Sequence, residues 1–451
     1  MTVEKDNISI KTLLKLTIPV FLELILQVLL GNVDKIMVRN DASANAINQA
    51  NSIIDMLTVS ISVLAAGSLI LINQYKGAGN KRAENKIYSI AFYFTLVLSF
   101  ILGIVLLIFG PSILRLMNVS SSFFEETLIY LRINGGFLFL QAIILTLSAF
   151  LRSNMFMIHG FIVSATINVL NVGLNALFLY VFNIPGVMGV GIATIISRII
   201  GCIILLILVK KLVKIKLSFK EGMISVRKEL TKLLKISIPS AGESFSYSLS
   251  QIVILSIINI IGLTMIAAPT AKTYANIMVQ FSFIFTSSIT QAMQIMLGRA
   301  LGARNTVLAE KMINKTLVLA IGSSLLISFI QALFAKPIFS LFTKDVEVIK
   351  LCSYIMWIEV GLELGRAINI TLVRALQTSG DVLFPTILAV VFCWSVAVVG
   401  SYIFGVVLNL GIVGVWIAMT IDELIRALIF IIRLKKGKWK NINLVSNVII
   451  N

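Results

Sequence analysis

The sequence predicts an all-α polytopic membrane protein whose twelve transmembrane helices form two parallel-repeat six-helix bundles. Three observations predict it: the composition, twelve long apolar runs, and an internal duplication. Of 451 residues, 58% are hydrophobic and 13% are charged, with a mean hydropathy of +1.00. Counting Gly and omitting Tyr gives roughly 62% apolar, against ~45–50% apolar and ~25% charged in soluble chains. No water-soluble globule hides that much apolar surface.

The spans follow from length, since crossing a bilayer takes ~20 mostly apolar residues. Residues 13–37 open the series, interrupted by Pro19 and Gly31, which favour a kink. Runs at 46–74, 87–109, 127–150, 157–182 and 189–213 complete a first set of six, and 233–262, 266–297, 313–335, 348–373, 383–408 and 412–434 a second. Several exceed the minimum, which implies tilt or extension into the cytoplasm. The runs are continuous rather than alternating, so a membrane β-barrel is excluded. The start of the chain, Met1 to Ile10, is polar and has no cleavable signal pattern.

A net charge of +18 would ordinarily raise nucleic acid as a partner. Position along the chain decides otherwise. The N-terminus and alternate loops hold 27 basic residues, nine of them between Lys210 and Lys235. The intervening loops hold five: Arg39, Arg115, Lys336, Lys344 and Lys350. Cytoplasmic loops are enriched in Lys and Arg, so both termini are expected in the cytoplasm, with the basic loops facing an anionic inner leaflet. Cys202, Cys352 and Cys393 lie far apart in apolar stretches, so neither a disulfide framework nor a zinc site is expected.

Leu13-Leu14-Lys15-Leu16-Thr17-Ile18-Pro19 reappears as Leu233-Leu234-Lys235-Ile236-Ser237-Ile238-Pro239, an offset of 220, and each copy reaches a glutamate four residues past the proline, Glu23 and Glu243. Gly77-Ala78 with Asn80 recurs as Gly302-Ala303 with Asn305, and Gly191-Ile192-Ala193-Thr194 resembles Gly414-Val415-Trp416-Ile417-Ala418. A nearly constant offset means duplication. Six spans per half is an even number, so the repeats run parallel about an axis along the membrane normal. The expected organisation is an N-terminal bundle over 1–213, a basic cytoplasmic linker over 214–232 and a C-terminal bundle with its tail over 233–451. The linker intersperses Phe219, Met223, Ile224 and Val226 among its charges. It is either an amphipathic surface helix or a solvated connection.

Ionisable and amide groups inside spans are functional candidates, because burying one without need costs ~2.5 kcal/mol or more. Glu23 and Asp34 are eleven residues apart, which in a straight helix is about 20° past three full turns, so both sit on one face ~16 Å apart along the axis. Gln27 lies between them. Span 5 carries Asn168, Asn171 and Asn175, span 7 carries Glu243, Tyr247 and Ser250 with Gln251, and span 10 carries Glu359, Glu363 and Arg366. Each has a structural alternative: helix–helix hydrogen bonds for the asparagines, pairing with Lys35 or Arg39 for Asp34, and a salt bridge to Arg366 for Glu363. Asp55, Lys272, Asp422, Arg426 and His159 read as structural. No GxxxxGK[ST] pattern occurs, so a transporter built from this chain runs on an ion gradient unless a partner supplies ATP. A buried carboxylate can exchange a proton, or trade it for Na⁺ held by oxygen ligands.

Several of these residues together resemble the multidrug and toxic compound extrusion (MATE) transporters, NorM-like, of the multidrug/oligosaccharidyl-lipid/polysaccharide exporter superfamily. They are Pro19 with Asp34 inside Gly31-Asn32-Val33-Asp34-Lys35-Ile36-Met37-Val38, then Asn73-Gln74-Tyr75-Lys76-Gly77-Ala78-Gly79-Asn80, then Gly414 to Met419 with Asp422, Arg426 and Gly437-Lys438-Trp439. The resemblance covers nearly the whole chain. It implies two bundles around a central V-shaped cavity, a bacterial plasma-membrane location, a monomer, and export of amphipathic cationic compounds in exchange for H⁺ or Na⁺ by alternating access. Neither a cofactor nor enzymatic activity is implied. By position, Asp34 matches the family's N-lobe cation-site aspartate, Asn171 and Asn175 its helix-5 element, and Glu363 a helix-10 carboxylate. Asn175 stands where one branch has aspartate. Glu243 departs from the helix-7 glutamate, whose place Tyr247 takes. The resemblance thus implies Asp34, Asn171, Asn175, Glu243 and Glu363 in cation coupling, with Asp34, Glu243 and Glu363 as ligands if the ion is Na⁺. Glu23, Gln27, Asn168, Tyr247 and Gln251 are the substrate-cavity candidates.

Two other readings stand beside this one. A lipid-linked oligosaccharide flippase of the same superfamily needs a basic cavity for a pyrophosphate, and the candidate basic residues for one within spans are few: Arg132, Arg198, Lys272, Arg366 and Arg426. An intramembrane enzyme lacks a histidine cluster and any nucleophile–base pair.

Overall fold

The computed structural model describes residues 10–30, 33–38, 40–215, 217–220, 227–442, 444 and 445. Among these the regular structure is helical throughout. Twelve long helical segments follow one another: α1 (Ile10–Leu30), α2 (Asp41–Gly77), α3 (Lys81–Leu116), α4 (124–153), α5 (Met157–Val181), α6 (Gly186–Val213), α7 (Arg227–Gly262), α8 (Ala267–Gly302), α9 (Thr306–Leu333), α10 (Val346–Ser379), α11 (Leu383–Val407) and α12 (Gly411–Lys435). They coincide one for one with the twelve predicted spans. A short helix, Val33–Met37, carries Asp34 just beyond α1.

Seven of these helices are long and apolar enough to cross a membrane, and α4 makes an eighth if its two arms, bent by 44°, count as one span. The other four differ in composition. α1 carries Lys11, Lys15 and Glu23, α8 is rich in Ser, Thr and Gln, and α10 and α12 hold the charged side chains of the ionic clusters below. All backbone groups of a helix bond internally, which suits every one of these segments to hydrocarbon.

By contacts the described residues fall into two compact units: 22–238, here the N-unit, and 10–21 together with 239–445, the C-unit. The change of unit falls beside the prolines that α1 and α7 carry within continuous helix, two residues after Pro19 and directly before Pro239. In the N-unit the core packs Ile47, Ile61, Leu106, Leu131 and Val190 from α2, α3, α4 and α6. In the C-unit Ile258, Ala271, Ile355, Val415 and Trp416 do the same from α7, α8, α10 and α12.

The duplication is visible in backbone detail. α2 ends at Gly77 and α8 at Gly302, and Asn80 and Asn305 then cap α3 and α9. Each asparagine accepts a hydrogen bond from the amide three residues on, Ala83 at 3.0 Å and Leu308 at 2.9 Å, with φ of −88° and −87°. The preceding residue is left-handed in both copies: Gly79 at φ 70° and Arg304 at φ 57°. Of the linker, residues 216 and 221–226 (hence Met223, Ile224 and Val226) lie outside the described residues, as do Gly31 and Arg39 and the side chain of Lys35. Phe219 is exposed and meets Tyr93 of α3 edge to face.

Candidate functional site

In the N-unit the sequence candidates converge on Asp34. The Asn175 side chain, fully buried, donates from Nδ2 to Asp34 Oδ1 at 2.7 Å and to Asn171 Oδ1 at 3.3 Å. Asn171 donates to Thr194 Oγ1 of α6 at 3.1 Å, and Thr194 to the carbonyl of Val190 at 3.0 Å. The i, i+4 spacing on α5 sets both amides on one face toward α6. Asn175 Oδ1 is buried and has no hydrogen-bond donor. A buried carbonyl oxygen without a donor, beside a carboxylate, suits a hard cation. Asn168, one turn earlier, is half-buried and stands outside this chain of bonds.

Charged neighbours complete the setting. Tyr130 of α4, buried and hydrogen-bonded to Asn51, lies within electrostatic reach of Asp34, Asp55 and Arg198. Arg198 of α6 faces the same carboxylates, and its Nη1 is buried with no hydrogen-bond partner.

Glu23 does not join Asp34. It is buried and pairs with Arg152 at 3.9 Å. Its carboxylate also lies 4.0 Å from where a Cβ on Gly160 would stand, near the start of α5. Fifteen residues of α5, ~22 Å of helix, separate Gly160 from Asn175. Residues 31 and 32, between α1 and the short helix that carries Asp34, lie outside the described residues. Gln27 is exposed.

In the C-unit the candidates divide among three clusters. Glu243 Oε2 accepts from Gln377 at 3.3 Å and Thr386 at 3.2 Å, and Arg374 donates to the other end of Gln377 at 3.4 Å. Glu363, fully buried, is bound by Arg366 and by Ser324 of α9. Arg366 also reaches Glu359 at 2.8 Å, whose other oxygen accepts from the Trp416 indole at 2.8 Å. Lys272 of α8 stands over the Trp416 ring, 4.8 Å from its centroid. A third cluster joins Arg426 to Asp422 at 2.5 Å and Glu423 at 2.9 Å, with Asn369 donating to Glu423. Glu243 and Glu363 therefore share no partner. Tyr247 is half-exposed within electrostatic reach of Arg366 and Arg426, and Gln251 is half-buried. Among the described residues no group of three His, Cys, Asp or Glu could hold a metal ion.

Gly365 explains how α10 and α12 come so close. A Cβ there would sit 2.8 Å from the Glu423 carbonyl carbon and 2.9 Å from the Leu424 nitrogen. Only hydrogen fits, and the close approach delivers Trp416 to Glu359 and Glu423 to Asn369.

The sequence reading left Lys272, Trp416, Asp422, Glu423, Arg426, Asn369, Thr194, Tyr130 and Arg198 without a site role. One signal was available for the ionic ones: an arginine or lysine within a span needs a carboxylate. Asp422 and Arg426, four apart, already satisfy that on one helix.

The MatE family model matches the chain twice, over residues 19–177 and again over 239–403. The chain belongs to the MatE family. It is a NorM-like MATE transporter, a multi-pass membrane protein. The double match falls on the two halves of the duplication. The uncharacterized transporter YisQ of Bacillus subtilis is 31% identical over 433 residues, 95% of this chain and 94% of its own length. The probable multidrug resistance protein NorM of Thermotoga maritima is 26% identical over 449 residues, covering 95% and 93%. The crystal structure of MATE in the bent conformation superposes with a TM-score of 0.88 at 20% identity, covering 95% of this chain and 96% of that one. A MOP superfamily transporter from Pyrococcus furiosus does so at 0.84 and 19%, covering 96% of each. The twelve-helix fold of this chain is that of the MATE transporters.

Proposed function

We propose that this MATE transporter exports amphipathic, cationic compounds from a bacterial cell by alternating access, in exchange for H⁺ or Na⁺ and as a monomer. In this reading the halves 1–213 and 233–451 are the moving bundles, both termini are cytoplasmic, and the chain needs no cofactor and performs no enzymatic step. The relative named a multidrug resistance protein supports the substrate class.

The observation that carries the coupling assignment is the Asp34–Asn175 contact, between a half-buried carboxylate and a buried amide whose oxygen has no donor. Asp34 binds the coupling ion, Asn175 and Asn171 hold the carboxylate in place, and Glu243 is the second carboxylate, half-buried and hydrogen-bonded only to neutral groups. Tyr247, Gln251, Gln27 and Asn168 remain the cavity candidates. The buried arginines Arg366 and Arg426 are both paired with carboxylates, which supports a cationic cargo over a lipid pyrophosphate.

Vesicles containing the purified protein, given Na⁺ and pH gradients separately, test this with a fluorescent organic cation. One gradient drives transport, and Asp34→Asn protein that reaches the membrane loses it. Transport under neither gradient refutes exchange, and a wild-type rate in Asp34→Asn refutes the assignment of Asp34.

A further inference from the structure

We propose that Arg366 is a resident counter-cation: its guanidinium fills the cation position between Glu359 and Glu363 and closes that cluster to exchangeable ions. The exchange reading above is deepened by this, because it moves the coupling ion away from Glu363, the carboxylate that the family resemblance assigns to it.

The geometry is that of a complete coordination shell with an arginine at its centre. Arg366 Nη1 reaches both carboxylates, Glu359 at 2.8 Å and Glu363 one turn away on the same helix. The remaining carboxylate oxygens are also taken: Glu359 Oε2 by the Trp416 indole at 2.8 Å, Glu363 Oε2 by the Ser324 hydroxyl. Glu359 and Glu363 are 1% and 0% exposed. Lys272 stands over Trp416, so two carboxylates face two cations and the cluster is neutral without a bound ion.

A guanidinium does not deprotonate in proteins, so this cation cannot leave as a proton would. It is tethered to the helix that carries both glutamates, so an ion from solution has to displace a ligand present at high effective concentration. The N-unit is the opposite case. There the guanidinium within electrostatic reach of Asp34 and Asp55 is that of Arg198, which stands on α6, a different helix from either carboxylate. Asp34 accepts from a neutral amide whose own oxygen has no donor.

Thermal unfolding of the purified full-length protein tests the proposal, in Na⁺ against choline at equal ionic strength and alkaline pH. In Asp34→Asn protein, Na⁺ leaves Tm unchanged. Adding Arg366→Gln uncovers the carboxylates, and Na⁺ then raises Tm saturably, by at least about 2 °C at a hundredfold excess over its Kd. Two uncompensated buried glutamates can prevent folding. The second variant therefore adds Glu359→Gln to Arg366→Gln, which keeps the net charge of the triad at one negative, and it gains the same response. A Na⁺ response in Asp34→Asn protein that Glu363→Gln removes, or no gain in either Arg366 variant, overturns the proposal. Loss of gradient-driven transport with these thermal responses intact counts against the exchange reading alone.

Discussion

Replacing Trp416 by phenylalanine keeps an aromatic ring in the C-unit core but removes the N–H that Glu359 accepts at 2.8 Å. Glu359 is 1% exposed, so water cannot restore the bond. A hydrogen bond to a charged group contributes ~1.5–3 kcal/mol. The ring under Lys272 also weakens as a cation–π partner, ~0.5–1 kcal/mol more, for a total of roughly 2–4 kcal/mol. Trp439 supplies the control. It is equally buried, at 2% against 1%, so ring loss cancels between the two sites, but its indole donates to a neutral carbonyl, Leu434, at 3.1 Å. The Trp439 ring also lies under a lysine, Lys440, at 5.6 Å, so Trp439→Phe is expected to lose ~1–2.5 kcal/mol. Unfolding of both variants in one detergent gives the comparison, with Trp416→Phe the lower in Tm. A double-mutant cycle with Glu359→Gln isolates the pair and is expected to show a coupling of about 1 kcal/mol or more. If Trp439→Phe is equally damaging, or the cycle closes with no coupling, the buried carboxylate is not what Trp416 stabilises.

Further outcomes follow from single contacts. Gly365→Ala forces a methyl against the backbone of α12 and costs ~1–3 kcal/mol, whereas Gly322→Ala, with nothing within 4 Å, costs nothing; equal Tm values for the two refute the close approach. Asn175→Ala removes the donor to Asp34 and lowers gradient-driven transport well below that of Asn168→Ala, measured at matched membrane levels; equal rates would separate Asn175 from coupling. Asn80→Ala and Asn305→Ala each lose a helix cap and ~1 kcal/mol, and closely similar Tm losses are expected because the two caps share one geometry.

The helices were legible because hydrocarbon imposes a length and an apolar content that run continuously along the chain. Even the loop Gly77-Ala78-Gly79-Asn80 and its copy were readable, since capping needs an asparagine in one place. Asn171 and Asn175 were found for a similar reason: four residues on a helix is a single face, and the bond between the two amides follows from it. Partners across helices were not legible: the resemblance places Glu243 and Glu363 together in cation coupling, and which helices lie beside α7 and α10 decides what each meets, Gln377 and Thr386 for one, Arg366 and Ser324 for the other. Gly365, the residue that sets the distance between α10 and α12, gives no chemical signal of its own in the sequence.

Duplication supplied two scaffolds of one design, but the ionic chemistry within them has diverged. At the offset of 220, Glu23 has its copy in Glu243, whereas Asp34 falls on Ile254, a fully buried core residue. The carboxylate beside a donorless amide oxygen therefore has no counterpart at that position. The C-unit concentrates its charge elsewhere, on α10 and α12, where Glu359, Glu363, Asp422 and Glu423 each meet an arginine. Paired groups of that kind resist separation, because removing one partner strands a buried charge at ~3–5 kcal/mol. An ion that must bind and leave in every cycle needs a carboxylate whose partners can be exchanged at less cost. The hydrogen bond from the neutral Asn175 amide, at ~1.5–3 kcal/mol for a charged acceptor, meets that need at Asp34 at less cost than an arginine pair.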